Sequence, residues 1–488
     1  PDRHQQRIRD RGLESCPGRV FASLDGMSSI DKKLGEMAVA AGAVKKGGKQ
    51  ELMGSKVFVR IRPFGTDGHF KGGAESDKTI AGFDERAVKV RDRDTTTTFD
   101  FADRVFLPTD TNSHACDEML DNGLLEAFWG NRNVHFFAYG QTGTGKSHTM
   151  YGPSGVIGTG GGDSPPHPDW GLMPRVIDRT LKHLEGSKGR LRGALYASAV
   201  EFICGFPFDL NTPGAPMCQV NVKGQLRGNK LTRLTSPHDF LPFLKGVWAS
   251  RQTRNNGVNL ISSRSHVAIN LTLMLLDTAT NKYKRTFFSL VDLAGAERDR
   301  HTDGEAFDMS VFYVKLMRFA KGDGNYADWT VKEQNRFIQW DLLAILQQIN
   351  QATEAHKKGR AYNPPTQVST DTVNYLLGAC DGQAQIAMCV CLSQAPQYGF
   401  EQWESLVYGS RMAKLRVPIR GVPEARASAA LKGAQKELVD AEADLKQALS
   451  KGAANAQMNQ RYNRMRQQRA FEARQVLEAL RELCAEAG

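Results

Sequence analysis

No apolar run in this chain approaches the ~18 residues that a membrane-spanning helix requires. The longest candidate, Ile386 to Leu392, is strand-sized. The eight cysteines are scattered, with no Cys-x-x-Cys and no histidine pairing at zinc spacing, which excludes a disulfide framework or zinc module and points to reduced thiols in a cytosolic compartment. No strand interleaves aromatic and basic residues in the way that stacks and clamps bases, so a nucleic-acid partner is not expected. The first residue is Pro and not Met, the pattern of a fragment or processed piece from which a targeting signal could have been lost.

What is present is a 488-residue chain, 40% hydrophobic and 8% aromatic, with material for one large α/β domain and an appendage. Its formal net charge of +11 and pI near 9.2 call for an acidic partner, whether nucleic acid, anionic membrane or acidic protein surface. Residues 1–55 form a basic N-terminal extension ending near Lys45, Lys46 and Lys49.

Three separated segments carry chemistry. The aromatic-rich run Phe136 to Tyr139 reads as a buried strand entering Gly140-Gln141-Thr142-Gly143-Thr144-Gly145-Lys146-Ser147, a Gly-x-x-x-x-Gly-Lys-Ser loop that opens a helix. Its glycines let backbone N–H groups turn inward on a polyphosphate; Lys146 sits on the β- and γ-phosphates and the Ser147 hydroxyl on Mg²⁺. The second segment, Ser262-Ser263-Arg264-Ser265-His266, suits either a γ-phosphate-sensing loop or a serine-rich cap. The third is an apolar strand from Phe287 ending in Asp292, with Gly295 three residues on. Asp292 can hold Mg²⁺ through water, and the Gly295 N–H can bond a γ-phosphate. Together they describe a switch NTPase. An Asn-Lys-x-Asp guanine reader is missing, since Asn229-Lys230 and Asn281-Lys282 are both followed by the wrong residues; this favours ATP.

These residues resemble the kinesin motor domain over roughly Lys56 to Val417. The resemblance rests on Arg60-x-Arg62-Pro63, on Phe99 to Phe106, on Tyr139 to Met150, on Ser262 to His266, and on Asp292 to Arg298. It implies an ATPase of the α/β class, with a three-layer P-loop NTPase motor core, a mostly parallel central sheet and a C-terminal α-helical or coiled-coil tail. It further implies that Arg60, Arg62, Pro63 and His148 lie on the adenine side and that Ser263 helps hold Mg²⁺ and the attacking water. Arg264 would close on Glu297 when ATP is bound, with Gly295 sensing the γ-phosphate. Implied partners are microtubules, with a coiled-coil homodimer or docking to a larger microtubule-based assembly, in the cytoplasm and cytoskeleton.

Departures from the family pattern fall elsewhere. Asn363 to Leu377 replaces the basic stretch that faces the track, Gln339 to Leu346 stands in the relay helix, and the loop from Arg300 to Trp329 is long. Binding to acidic tubulin depends on Lys and Arg. A non-motile structural subunit, for instance of a ciliary axoneme, is therefore the alternative. Trp329, Phe337 and Trp340 read as core aromatics. Over residues 418–488, read as a neck and helical coiled-coil segment, Leu431, Leu438 and Leu445 recur every seven residues, a stripe that fits a dimeric coiled coil or two helices folded back together.

Overall fold

The computed structural model describes residues 52–66, 74–92, 94–153, 155–220, 224–254, 265–295, 308–320, 326–360, 362, 370–377, 380, 382, 384–450 and 456–485. The strands that build and flank the central sheet are β1 (Leu52–Gly54), β2 (Lys56–Ile61), β3 (Arg104–Phe106), β4 (Asn133–Tyr139), β5 (Leu191–Ile203), β6 (Thr232–Leu234), β7 (His266–Asp277), β8 (Lys282–Asp292), β9 (Ala384–Leu392) and β10 (Arg416–Pro418). The helices are α1 (Asn112–Asp121), α2 (Leu124–Trp129), α3 (Lys146–Tyr151), α4 (Leu172–Gly186), α5 (Phe240–Arg254), α6 (Met309–Ala320), α7 (Val331–Lys357), α8 (Asp371–Leu377), α9 (Gly399–Met412), α10 (Ala427–Ser450) and α11 (Ala456–Ala485).

The main sheet runs β6-β5-β7-β8-β4-β9-β2-β3. Its β8-β4-β9-β2-β3 half is parallel, and β6, β5, β7 and β8 join antiparallel, so the sheet is mixed. Chain connectivity explains the division: β7 and β8 are joined by a short turn at Asp277 to Lys282, which only antiparallel strands allow. The α/β class and three-layer build expected from the sequence are observed.

Strand alternation makes the three layers. Along β4, Val134, Phe136 and Ala138 enter one core with α1, α2 and α4, whereas Phe137 and Tyr139 enter the other with α7 and α9. A strand buried on both faces reads as a near-continuous apolar run, interrupted in β4 by Asn133 and His135 and in β9 by Gln385. Trp329 and Phe337 are buried in a third cluster, with Trp340 packed against it and with Phe312, Leu316 and Phe319 of α6, so part of the long loop before α7 is a helix with an apolar inner face.

The glycine- and proline-rich stretch from Gly152 to Trp170 is also packed. Trp170 is fully buried, and its indole N–H donates to the Val156 carbonyl at 3.0 Å. Buried Arg175 donates to the carbonyls of His167, Pro168 and Trp170 and to the Asp117 carboxylate at 2.8 Å.

The C-terminal helices fold back on each other. Arg466 with Asp444, Arg474 with Glu442, and Arg481 with Gln435 run in opposite chain order, as an antiparallel hairpin requires. Leu438, Ala473 and Leu477 pack between the helices, and Ala479 and Leu483 of α11 pack on Ala194, Tyr196 and Met274 of the sheet.

Candidate functional site

The phosphate loop lies at the carboxyl end of β4, where apolar strand pairing stops. Gly140 has φ +144°, and a Cβ there would stand 2.3 Å from the Cys391 carbonyl oxygen of β9, so only glycine fits. Gly145, at φ +99°, starts α3. The Lys146 ammonium donates to the Gly140 and Gln141 carbonyls at 2.8 and 3.0 Å, lying along the loop it belongs to. The Thr144 hydroxyl donates to the Gln141 carbonyl at 2.8 Å, which tightens the turn.

Ser147 and Asp292 meet. Parallel pairing sets Asp292 beside Ala138, and the Ser147 hydroxyl donates to Asp292 Oδ2 at 2.9 Å. The other carboxylate oxygen, Oδ1, is buried without a hydrogen-bond partner, as is the Thr142 hydroxyl. A buried carboxylate oxygen left unpaired is costly unless a cation or donor meets it. A hydroxyl and a carboxylate are hard oxygen donors that suit Mg²⁺, which keeps most of its other ligands as water and phosphate. The residues present therefore fit a magnesium–polyphosphate, and the glycine cradle fits its backbone-bound oxygens.

Arg60 and Arg62 flank the loop. Arg60 donates to Asn112 Oδ1 at 2.5 Å and to the Thr149 hydroxyl at 3.0 Å, pinning β2 to α1 and α3. Arg62 donates to the Gly143 carbonyl and, through Nε, to the Thr66 hydroxyl at 3.0 Å; Pro63 follows it, exposed. His148 is exposed on α3, and its carbonyl accepts from Asn112 Nδ2 at 3.2 Å. Gly295 is buried just beyond β8. Ser263, Arg264 and Glu297 lie outside the described residues.

Two buried polar contacts hold the ends of the second and third segments; Ser265 and His266 belong to the second motif, whereas their partners Glu201 and Asp341 are announced by none. Glu201, fully buried on β5, accepts at Oε1 from the Ser265 hydroxyl at 2.6 Å and from Arg251 Nε at 2.9 Å. The stretch that begins after Arg251 and ends at Ser265 is thus tied at both ends to one carboxylate. His266 accepts the Ala294 N–H at Nδ1 (3.0 Å), while its Nε2 faces Asp341 Oδ2 of α7 at 4.0 Å. Asp341 Oδ1 accepts the Thr370 hydroxyl at 2.9 Å. Burial pushes the Asp341 carboxyl up to about 7 and the His266 imidazole down to about 4, so both are driven toward their neutral forms. This chain of contacts runs from the residue before Gly295 to the long helix α7.

Residues 60–310 match the family model of the kinesin motor domain. Among curated relatives, Kinesin-like protein KIF28 of Rattus norvegicus is 28% identical over 288 residues, covering 51% of this chain and 25% of its own length. Kinesin-like protein KIF28 of Mus musculus is 26% identical over 408 residues, covering 77% and 35%. Kinesin-like protein KIN-14T of Arabidopsis thaliana is 26% identical over 321 residues, covering 60% and 34%. The chain thus spans between a quarter and about a third of the length of these relatives. Among solved structures, a fast kinesin superposes with TM-score 0.58 at 20% identity, covering 76% of this chain and 94% of that one. The KIF14 dimer with AMP-PNP in complex with a microtubule gives TM-score 0.57 at 19% identity, covering 76% and 97%. These last two show a shared fold. With the family model matching more than half of its residues, this chain belongs to the kinesin motor domain family.

Proposed function

We propose that the chain is an ATP-hydrolysing kinesin-like protein that binds microtubules and couples its nucleotide cycle to movement or switching along them. The single observation that carries the chemistry is the meeting of Ser147 and Asp292 beneath a glycine-bound loop, with one carboxylate oxygen left for a cation. In this reading residues 56–417 are the motor region and 418–488 the neck and helical tail. Two structural relatives bear on the ligands: one is described for its ATPase mechanism and its interactions with microtubules, the other is bound to AMP-PNP and a microtubule.

Each group then has a task. The loop amides from Gly140 to Gly145 and the Lys146 ammonium hold the phosphates; Ser147 and Asp292, with Ser263, hold Mg²⁺, which supplies charge neutralisation of the phosphoryl oxygens. Gly295 senses the γ-phosphate through its N–H, and Arg264 closing on Glu297 orders both loops and aligns the attacking water. No strong base is called for, because phosphoryl transfer is governed by positioning and electrostatics. Arg62 steadies the loop at Gly143.

One observation favours a second reading, a non-motile microtubule-associated subunit such as an axonemal component that retains nucleotide. Helix α8, in the stretch that replaces the basic track-facing segment, carries no Lys or Arg, and Thr372, Val373, Tyr375 and Leu376 are buried. The test is ATP turnover by the chain at low salt with and without microtubules. Strong stimulation is the result expected of a motor; tight binding with an unchanged slow rate supports the subunit; neither binding nor stimulation contradicts both.

A further inference from the structure

The sheet face that carries α8 and α11 has a polar belt between two apolar ones. Row by row across β5, β7 and β8, Val200, Ala268 and Val291 are apolar, and Ala194 with Met274 lies apolar beneath α11. Between them the strand register aligns Ser198, Asn270 and Ser289. Ser289 and the Asn270 carbonyl oxygen meet the Tyr375 hydroxyl of α8, and Ser198 and Asn270 open on a cavity of about 120 Å³. Glu472 of α11 and Pro423 also line it.

Its unspent hydrogen-bonding capacity is mostly donor. Asn270 uses its carbonyl oxygen to accept the Tyr375 hydroxyl at 2.5 Å, and its buried Nδ2 has no partner; the buried Ser198 hydroxyl has none either. Asn133 spends its carbonyl on the Phe287 N–H at 3.1 Å, leaving its NH₂ group as a further donor. Arg285 lines the same cavity and has no ion pair among the described residues. Among the described residues Glu472 is the one carboxylate in the wall, and its Oε2 accepts the Gly228 N–H at 2.6 Å.

We propose that this cavity binds a small monocarboxylate, seated between the motor sheet and the C-terminal hairpin. The carboxylate pairs with Arg285, whose planar fork matches its geometry, and takes the NH₂ of Asn270 and the hydroxyl of Ser198 as further donors. A neutral occupant would leave Arg285 without a counter-charge, and a second carboxylate on the ligand would meet no second cation among the lining residues described. The volume limits the ligand to about two to four carbons, far below the ~300–1,000 Å³ of sites for drug-sized molecules. The site is separate from the phosphate loop, which lies beyond the opposite end of β8 at Asp292.

The experiment is calorimetric titration of the full chain with acetate, lactate and succinate, with inorganic phosphate as the probe that reports the phosphate loop. Acetate or lactate is expected to bind saturably with a dissociation constant of ~1 mM or below, and more tightly than succinate. Arg285→Gln should weaken that binding at least ~10-fold without moving the melting temperature or phosphate binding, and Ser198→Val, which removes a donor and narrows the cavity, should also weaken it at least ~10-fold. No saturable binding by any carboxylate, or equal affinity in the parent and Arg285→Gln, overturns the proposal whatever the nucleotide chemistry proves to be.

Discussion

Asp341 is a carboxyl in the protein interior whose neighbours are a histidine ring and a threonine hydroxyl, and its chemistry follows from that enclosure. Its pKa is raised from the ordinary 3.8 to about 7, so the folded chain keeps a proton there that the unfolded chain releases. More protons bound at Asp341 in the folded state means that its contribution to stability falls as pH rises from about 4 to about 7, and the loss is complete above that. Asp341→Asn removes this ionisation and keeps an acceptor for Thr370. The variant should therefore melt higher than the parent at pH 8, with the gap closing toward pH 4. A gap that stays constant with pH would show that Asp341 is charged in the fold. None of this is visible in the string Gln339-Trp340-Asp341, because what matters about Asp341 is His266, 75 residues earlier. Glu201 and Ser265 are alike in this respect: contacts between distant polar residues leave no periodicity to read.

At the scale of elements, the strand-to-loop passage from Phe136 to Ser147 was legible because its requirements are local: an apolar run, then glycines where the backbone takes positive φ. The Asp292 position was legible for the same reason, as the polar end of an apolar strand. The tail was half legible. A leucine every seven residues fits a dimer seam or a folded-back pair equally, and what distinguishes them here is the apolar patch of Ala194, Tyr196 and Met274 that receives Leu483. Leu477, buried where α11 meets α10, tests the hairpin. Leu477→Ala should destabilise it by about 2–5 kcal/mol. Hydrogen exchange should then quicken in α10 and α11 while β4 and β9 keep their protection. Unchanged exchange in the two helices would mean that the hairpin does not depend on this contact.

Across the whole molecule, the mixed sheet delivers three distant stretches of chain to one edge. Parallel pairing of β4 with β8 brings Ser147 and Asp292 together, β9 backs Gly140, and the Glu201 carboxylate gathers Arg251 and Ser265 nearby. The same sheet carries α7 on its opposite core, so that His266 and Asp341 connect the edge to the long helix. Whether this edge holds a magnesium-bound nucleotide is read from the affinity of a fluorescent ADP with Mg²⁺ and with EDTA. The parent should bind at least ~10-fold more tightly with Mg²⁺, Asp292→Asn should lose most of that difference, and Lys146→Ala should bind weakly in both. Equal affinity with and without the metal in the parent, or an undiminished metal effect in Asp292→Asn, would contradict the account.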